Sequence, residues 1–161
     1  MKRLISIISL ILVLCCAVSV FAACPSNGNQ GGAQNGSGNQ DDENEVTTMK
    51  ITIGNKEFTA TLYDTAAAQA FAKLLPLTLD MSELNGNEKY NYMPTTLPTK
   101  IENVGKINAG DIMLYGNSCI VLFYKSFSTS YSYTKIGKID DVTGLQQAVG
   151  NGSVTVTFQA K

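Results

Sequence analysis

Histidine and tryptophan are absent from the 161 residues, and the one arginine, Arg3, stands at the start of the chain. Without imidazole there is no Ser-His or Cys-His nucleophile pair, no zinc site of the usual kind and no side chain naturally poised to titrate near neutrality. A large part of enzymology is thereby excluded. From Met49 onward ten lysines stand against nine acids, so no basic field exists to attract nucleic acid. No catalytic residue, metal ligand or cofactor is expected. Cysteine is scarce too, with Cys15, Cys16, Cys24 and Cys119 the whole set.

What is present begins with a leader. Lys2 and Arg3 give a positive start, and Leu4 to Ala23 is an almost unbroken apolar run closing on small residues, the layout of an export signal over residues 1–23. A transmembrane anchor is the alternative, since about 20 apolar residues span a bilayer. Export is favoured because the run closes on Ala22-Ala23 and no basic stop-transfer cluster follows.

Phe21-Ala22-Ala23-Cys24 resembles the lipobox of bacterial lipoproteins, with phenylalanine where leucine is usual. The resemblance implies that Cys24 carries a diacylglyceryl group and becomes the first residue of the mature chain, held on the outer face of the cell membrane. Ordinary cleavage near Val20-Phe21-Ala22 is the competing reading. An unlipidated cysteine at the exposed start of a polar tail is a reactive liability outside the cell. Acyl burial contributes about 0.8 kcal/mol per methylene, and two or more chains make attachment lasting. If Cys15 and Cys16 leave with the signal and Cys24 is lipidated, Cys119 has no partner for a disulfide; its apolar context, "NSCIVLFY", predicts a buried, inert thiol.

Residues 24–48 continue with Gly, Asn, Gln and Ser and end in an acidic group, Asp41, Asp42, Glu43 and Glu45. That composition is too polar to offset the entropy of ordering and reads as a disordered tether. As a Gly-rich coil it reaches about 25–30 Å. The acids are a solvated spacer repelled by anionic lipid, with a calcium site as the weaker alternative.

Residues 49–161 are one domain's worth of chain and read mostly as strands. "KITIGNKEFTATLY" alternates on both sides of Gly54-Asn55, a hairpin with Ile51, Ile53, Phe58, Ala60 and Leu62 pointing inward. Asp64 or Thr65 caps a helix over "AAAQAFAKLL", with Ala67, Phe71, Leu74 and Leu75 on one face and Pro76 as the stop. Residues 85–100 are the least regular part. "DIMLYGNSCIVLFY" reads as a hairpin about Gly116-Asn117, "YTKIGKI" as a strand, "DDVTGLQQAV" as a short capped helix and "SVTVTFQ" as a closing strand. The fold class is therefore mainly β: a closed or nearly closed antiparallel β-barrel with two short capping α-helices.

The order of these elements resembles the cyclophilins. Thr65, Ala66, Phe71 and Leu74 are similar to the pattern that packs the first cyclophilin helix on its barrel, with one extra residue before the phenylalanine. Ile136-Gly137-Lys138-Ile139 is similar to the Phe-Gly-Lys-Val turn that precedes the second helix. The stretches "LPLTLDMSELNG", "AGDIMLYG" and "LFYKSFSTSYSYTKIGKI" are closer still to a branch of short bacterial cyclophilin-like proteins, for which the resemblance implies a fold and no particular reaction. Cyclophilins lower the prolyl isomerisation barrier, about 18–20 kcal/mol, with a guanidinium over an apolar floor. The matching segment, "LTLDMSELNGNEKYNYM", holds no arginine and lacks the Phe-x-x-Gln signature; Lys89 supplies charge there but no planar fork of donors.

Aromatic residues occupy the place of that cleft. Tyr90, Tyr92, Phe127, Tyr131 and Tyr133 are the candidate ligand-groove residues, suited to an extended peptide, a glycan or a small molecule. A groove leaves each ring partly accessible; a lid over the barrel's open end buries them. Two functions follow: a membrane-anchored extracytoplasmic binding or accessory module without isomerase activity, or an extracytoplasmic prolyl isomerase.

Overall fold

A computed structural model describes residues 47–161. The expected export signal, Cys24 and all but the last two residues of the expected tether lie outside the described residues. β1 (Thr48–Ile53) and β2 (Lys56–Leu62) form the first hairpin, turning where Gly54 supplies a φ of +59°. Their strict alternation buries Met49, Ile51, Ile53, Phe58, Ala60 and Leu62, including all five inward positions expected from the pattern.

α1 (Ala66–Ala72) follows, capped by Thr65, whose hydroxyl accepts from the backbone N–H of Ala68 at 3.1 Å. The helix ends at Ala72, so Leu74 and Leu75 reach the core from the turn beyond it rather than from the helix. Phe71 drives into the barrel and meets Phe158 edge to face at 5.5 Å. Burying one such phenylalanine contributes roughly 1.5–3 kcal/mol.

β3 (Leu77–Leu84) and β4 (Glu88–Tyr92) form the second hairpin. This corrects the expectation of irregular chain over 85–100 for residues 88–92, while 93–100 carries no helix or strand. Asn85 and Gly86, at φ +56° and +68°, supply the left-handed turn, and Tyr90 and Tyr92 stand on a strand. β5 (Glu102–Asn103) and β6 (Lys106–Ile107) are short, and β7 (Asp111–Tyr115) pairs with β8 (Cys119–Phe123) about the Gly116 turn. β9 (Phe127–Ser128) pairs with β6, and β10 (Ser132–Ile139) precedes α2 (Leu145–Val149) and β11 (Val154–Ala160). α2 is shorter than expected and begins at Gly144 with no side-chain cap; Asp141 instead accepts from the N–H of Thr143.

The strand order β2-β1-β11-β3-β4-β8-β7-β10, with β10 pairing back to β2, closes an eight-stranded antiparallel barrel. α1 follows the end of β2 and α2 the end of the antiparallel neighbour β10, so the helices serve opposite ends.

Two apolar clusters result. The larger fills the barrel with Ile51, Met81, Ile112, Leu114, Ile120, Leu122, Val156 and Phe158 among others. The smaller lies on the outer face of β7, β8 and β10: Met113, Cys119, Val121, Phe123 and Tyr133, with Ile107 of β6 packed on them. Every residue of β8 is consequently buried. That is why "CIVLF" is a continuous apolar run rather than an alternating one.

Candidate functional site

Strand register brings the outward side chains of β4 beside those of β8. Glu88 lies opposite Phe123, Tyr90 opposite Val121 and Tyr92 opposite Cys119. β7 adds Tyr115, again opposite Cys119, and β10 adds Tyr133. The segment Phe127–Tyr131 supplies a further wall. Together they bound a cavity of about 510 Å³ on the outside of the barrel, within the range of small-molecule sites.

All five aromatic residues expected at a groove line this one cavity. Tyr90 and Tyr92 meet edge to face at 6.0 Å. Tyr115, which the sequence reading did not single out, joins the two halves: its ring lies 6.3 Å from Tyr131 and 5.7 Å from Tyr133. Tyr92 is 65% exposed and Tyr131 63%, whereas Tyr133 is 6% exposed. Accessibility of every ring therefore does not hold. Tyr133 packs perpendicular to Phe123 at 5.5 Å and belongs to the smaller core cluster, so it forms the base of the cavity while Tyr92 and Tyr131 form its rim. Nor do the rings cover the barrel's open end.

Glu88 and Asn87 also line the cavity and were missed by the sequence reading. Glu88 is 8% exposed. Burial, together with the charge of Glu83, raises its pKa above the ordinary carboxylate value. Burial, and then the charge of Glu88, pushes the Tyr133 hydroxyl up to about 12. The Cys119 thiol is pushed up to about 11, chiefly by burial, which keeps it un-ionised and inert near neutrality.

Lys89 points the other way. Fully buried inside the barrel, its Nζ donates to Glu83 Oε2, to the Gly150 carbonyl at 3.1 Å and to the Gly152 carbonyl at 2.6 Å. All three donors are used, so Lys89 delivers no charge to the cavity. Burial pulls the Glu83 pKa upward, but hydrogen bonds from Lys89 and Tyr124 outweigh it and hold the group below its ordinary value. Among the described residues no group of three or more Cys, Asp or Glu is placed to hold a metal ion.

A closed eight-stranded barrel with a helix at either end and a ligand-sized cavity on its outer wall defines a cyclophilin-like barrel protein. The family model described as "Cyclophilin-like family" matches residues 51–159, and the chain belongs to that family. A solved solution structure of a hypothetical protein from Archaeoglobus fulgidus is similar at 20% identity and a TM-score of 0.48, over 73% of this chain and 96% of that one. No protein of curated function matches the chain.

Proposed function

We propose that this protein is a membrane-anchored extracytoplasmic binding or accessory module of cyclophilin-like fold that takes a ligand in its outer-face cavity and does not isomerise prolyl bonds. One observation carries the binding reading. Seven large hydrophobic side chains are exposed among the described residues, and four of them, Leu84, Tyr92, Tyr115 and Tyr131, line this cavity. Leaving apolar surface clustered in water forgoes about 25 cal/mol per Å² of burial, and such clusters mark interaction sites. The tyrosines add hydroxyls to that surface, which suits a ligand with both apolar and polar parts.

The non-catalytic reading rests on the missing guanidinium. Arg3 stands in the leader, and the nearest cation on β4, Lys89, is turned inward and fully engaged. The anchor rests on the lipobox-like Phe21-Ala22-Ala23-Cys24 and the polar tract after it. A protease-coupled isomerisation assay on a proline peptide tests the choice between the two functions. The uncatalysed rate is the expected result; acceleration proportional to protein concentration restores the isomerase reading.

A further inference from the structure

The cavity contains one charged group. Among the described residues Glu88 is its single acidic residue, and no lysine or arginine lines it. As a residue Glu88 is 8% exposed, its carboxylate opening to the cavity, and no ion pair or hydrogen bond reaches it among the described residues. Buried carboxylates are ordinarily paired. Beside it Asn87 Oδ1 is buried with no hydrogen-bond partner. Two adjacent acceptors thus lack a donor, and an ammonium group carries three donors and a positive charge.

The rest of the lining agrees. Tyr90, Tyr92, Tyr115, Tyr131 and Tyr133 surround the space with aromatic rings, whose negative faces attract cations. We propose that this cavity is a site for an organic ammonium ion, free or borne on a lysine side chain, with Glu88 as its counter-charge and Asn87 as a second acceptor. This rests on the reading of the cavity as a binding site.

The titratable groups around Glu88 are Glu83 on β3, Cys119 on β8, Tyr124 just beyond β8 and Tyr133 on β10. The thiol and both phenols are neutral near pH 7, and Glu83 is engaged by Lys89 and Tyr124. Among the described residues no resident cation competes for Glu88. Ammonium binding selects the ionised carboxylate, so it strengthens as pH rises through the raised pKa of Glu88 and releases a proton from it.

The test compares benzylamine, Nα-acetyl-lysine amide, benzyl alcohol and benzoate, followed by NMR shifts of the cavity tyrosines in wild type and in Glu88→Gln. Benzylamine is expected to bind roughly tenfold or more tighter than benzyl alcohol, benzoate weakest, with the preference lost in Glu88→Gln. Tyr92→Leu, a change at an exposed ring, is expected to weaken the amine as well, and serves as the second variant if Glu88→Gln does not fold. The tighter of the two amines separates a free ligand from a lysine side chain. Equal binding of benzylamine and benzyl alcohol, unchanged in Glu88→Gln, overturns the ammonium assignment and leaves the binding site standing. Cavity tyrosines unmoved by any of the four overturn both.

Discussion

Glu88 and Lys89 are consecutive on β4, both buried and oppositely charged, yet they form no pair with each other. Strand alternation sends Lys89 into the barrel, opposite Leu122, and Glu88 out of it, opposite Phe123. The inward charge finds a carboxylate and two carbonyls; the outward one finds none. One residue of register thus separates a structural ion pair from the centre of the candidate site.

The inward pair predicts a large stability loss on truncation. Lys89→Met strips Glu83 of its cation and leaves the carbonyls of Gly150 and Gly152 without their donor. Breaking a fully buried pair from one side costs about 3–5 kcal/mol, and because the Glu83 side chain is 23% exposed and keeps its bonds from Tyr124 the loss falls at the low end of that range. Urea unfolding measures it; a loss under about 1 kcal/mol would rank this pair with ordinary surface ones.

The outward charge predicts a pH dependence of opposite sense to that of most acids. The folded pKa of Glu88 lies above its unfolded value, so the folded state holds the proton more tightly. Its contribution to stability is fully present below the unfolded carboxylate pKa, about 4.3, and declines as pH rises through the raised folded pKa. Glu88→Gln removes this decline. The stability gain of Glu88→Gln over wild type should therefore grow as pH rises above about 4.3; a gain that shrinks instead would mean the carboxylate has an unseen donor.

Much of this fold was legible in the chain, and the parts that were not have physical reasons. Gly54-Asn55 and Gly116-Asn117 announced their hairpins, and the β1 and β2 alternation named their inward residues. Asn85-Gly86 is an equally strong turn signal. It went unread because the strand after it, "EKYNY", is polar on both faces: one face holds the buried lysine and the other the cavity. Glu88 was hidden for the same reason, since nothing in sequence separates a buried acid from a solvated one. The five aromatic residues do line one cavity, but Tyr131 and Tyr133 at a spacing of two could not reveal that one would be rim and the other base. The continuous apolar run "CIVLF" did carry the missing clue, because a strand buried on both faces implies something packed outside the barrel.

Gly137 gives the Ile136-Gly137-Lys138-Ile139 motif its physical meaning. It pairs with Leu62 where β10 closes the barrel on β2, and a Cβ there would stand 2.7 Å from the Thr61 carbonyl oxygen and 3.3 Å from Leu62 Cα. Backbone cannot yield as a flexible side chain does. Gly137→Ala should cost about 1–3 kcal/mol, read from the midpoint of urea unfolding. An unchanged midpoint would show that the seam relaxes without loss.

The anchor predicts a change of compartment. Cys24→Ser removes the thiol proposed to take the lipid, so the domain should leave the membrane fraction for the medium or persist as an uncleaved precursor. A variant that fractionates and migrates like wild type would refute lipidation.

Tyr131 and Tyr133 predict opposite responses to the same truncation. Tyr131, 63% exposed, touches Tyr115 edge to face at 6.3 Å and takes part in neither core cluster. Tyr133, 6% exposed, packs on Phe123 and Tyr115 at the base of the cavity. Tyr131→Ala should change stability by under about 1 kcal/mol, and Tyr133→Ala should cost roughly 3 kcal/mol or more through the void it leaves. Ligand binding should respond in the reverse sense per unit of stability, because Tyr131 offers its ring to the occupant whereas Tyr133 chiefly supports the wall. Equal stability losses would mean that Tyr131 is also packed in solution, which would close the rim and remove the exposed surface on which the binding reading stands.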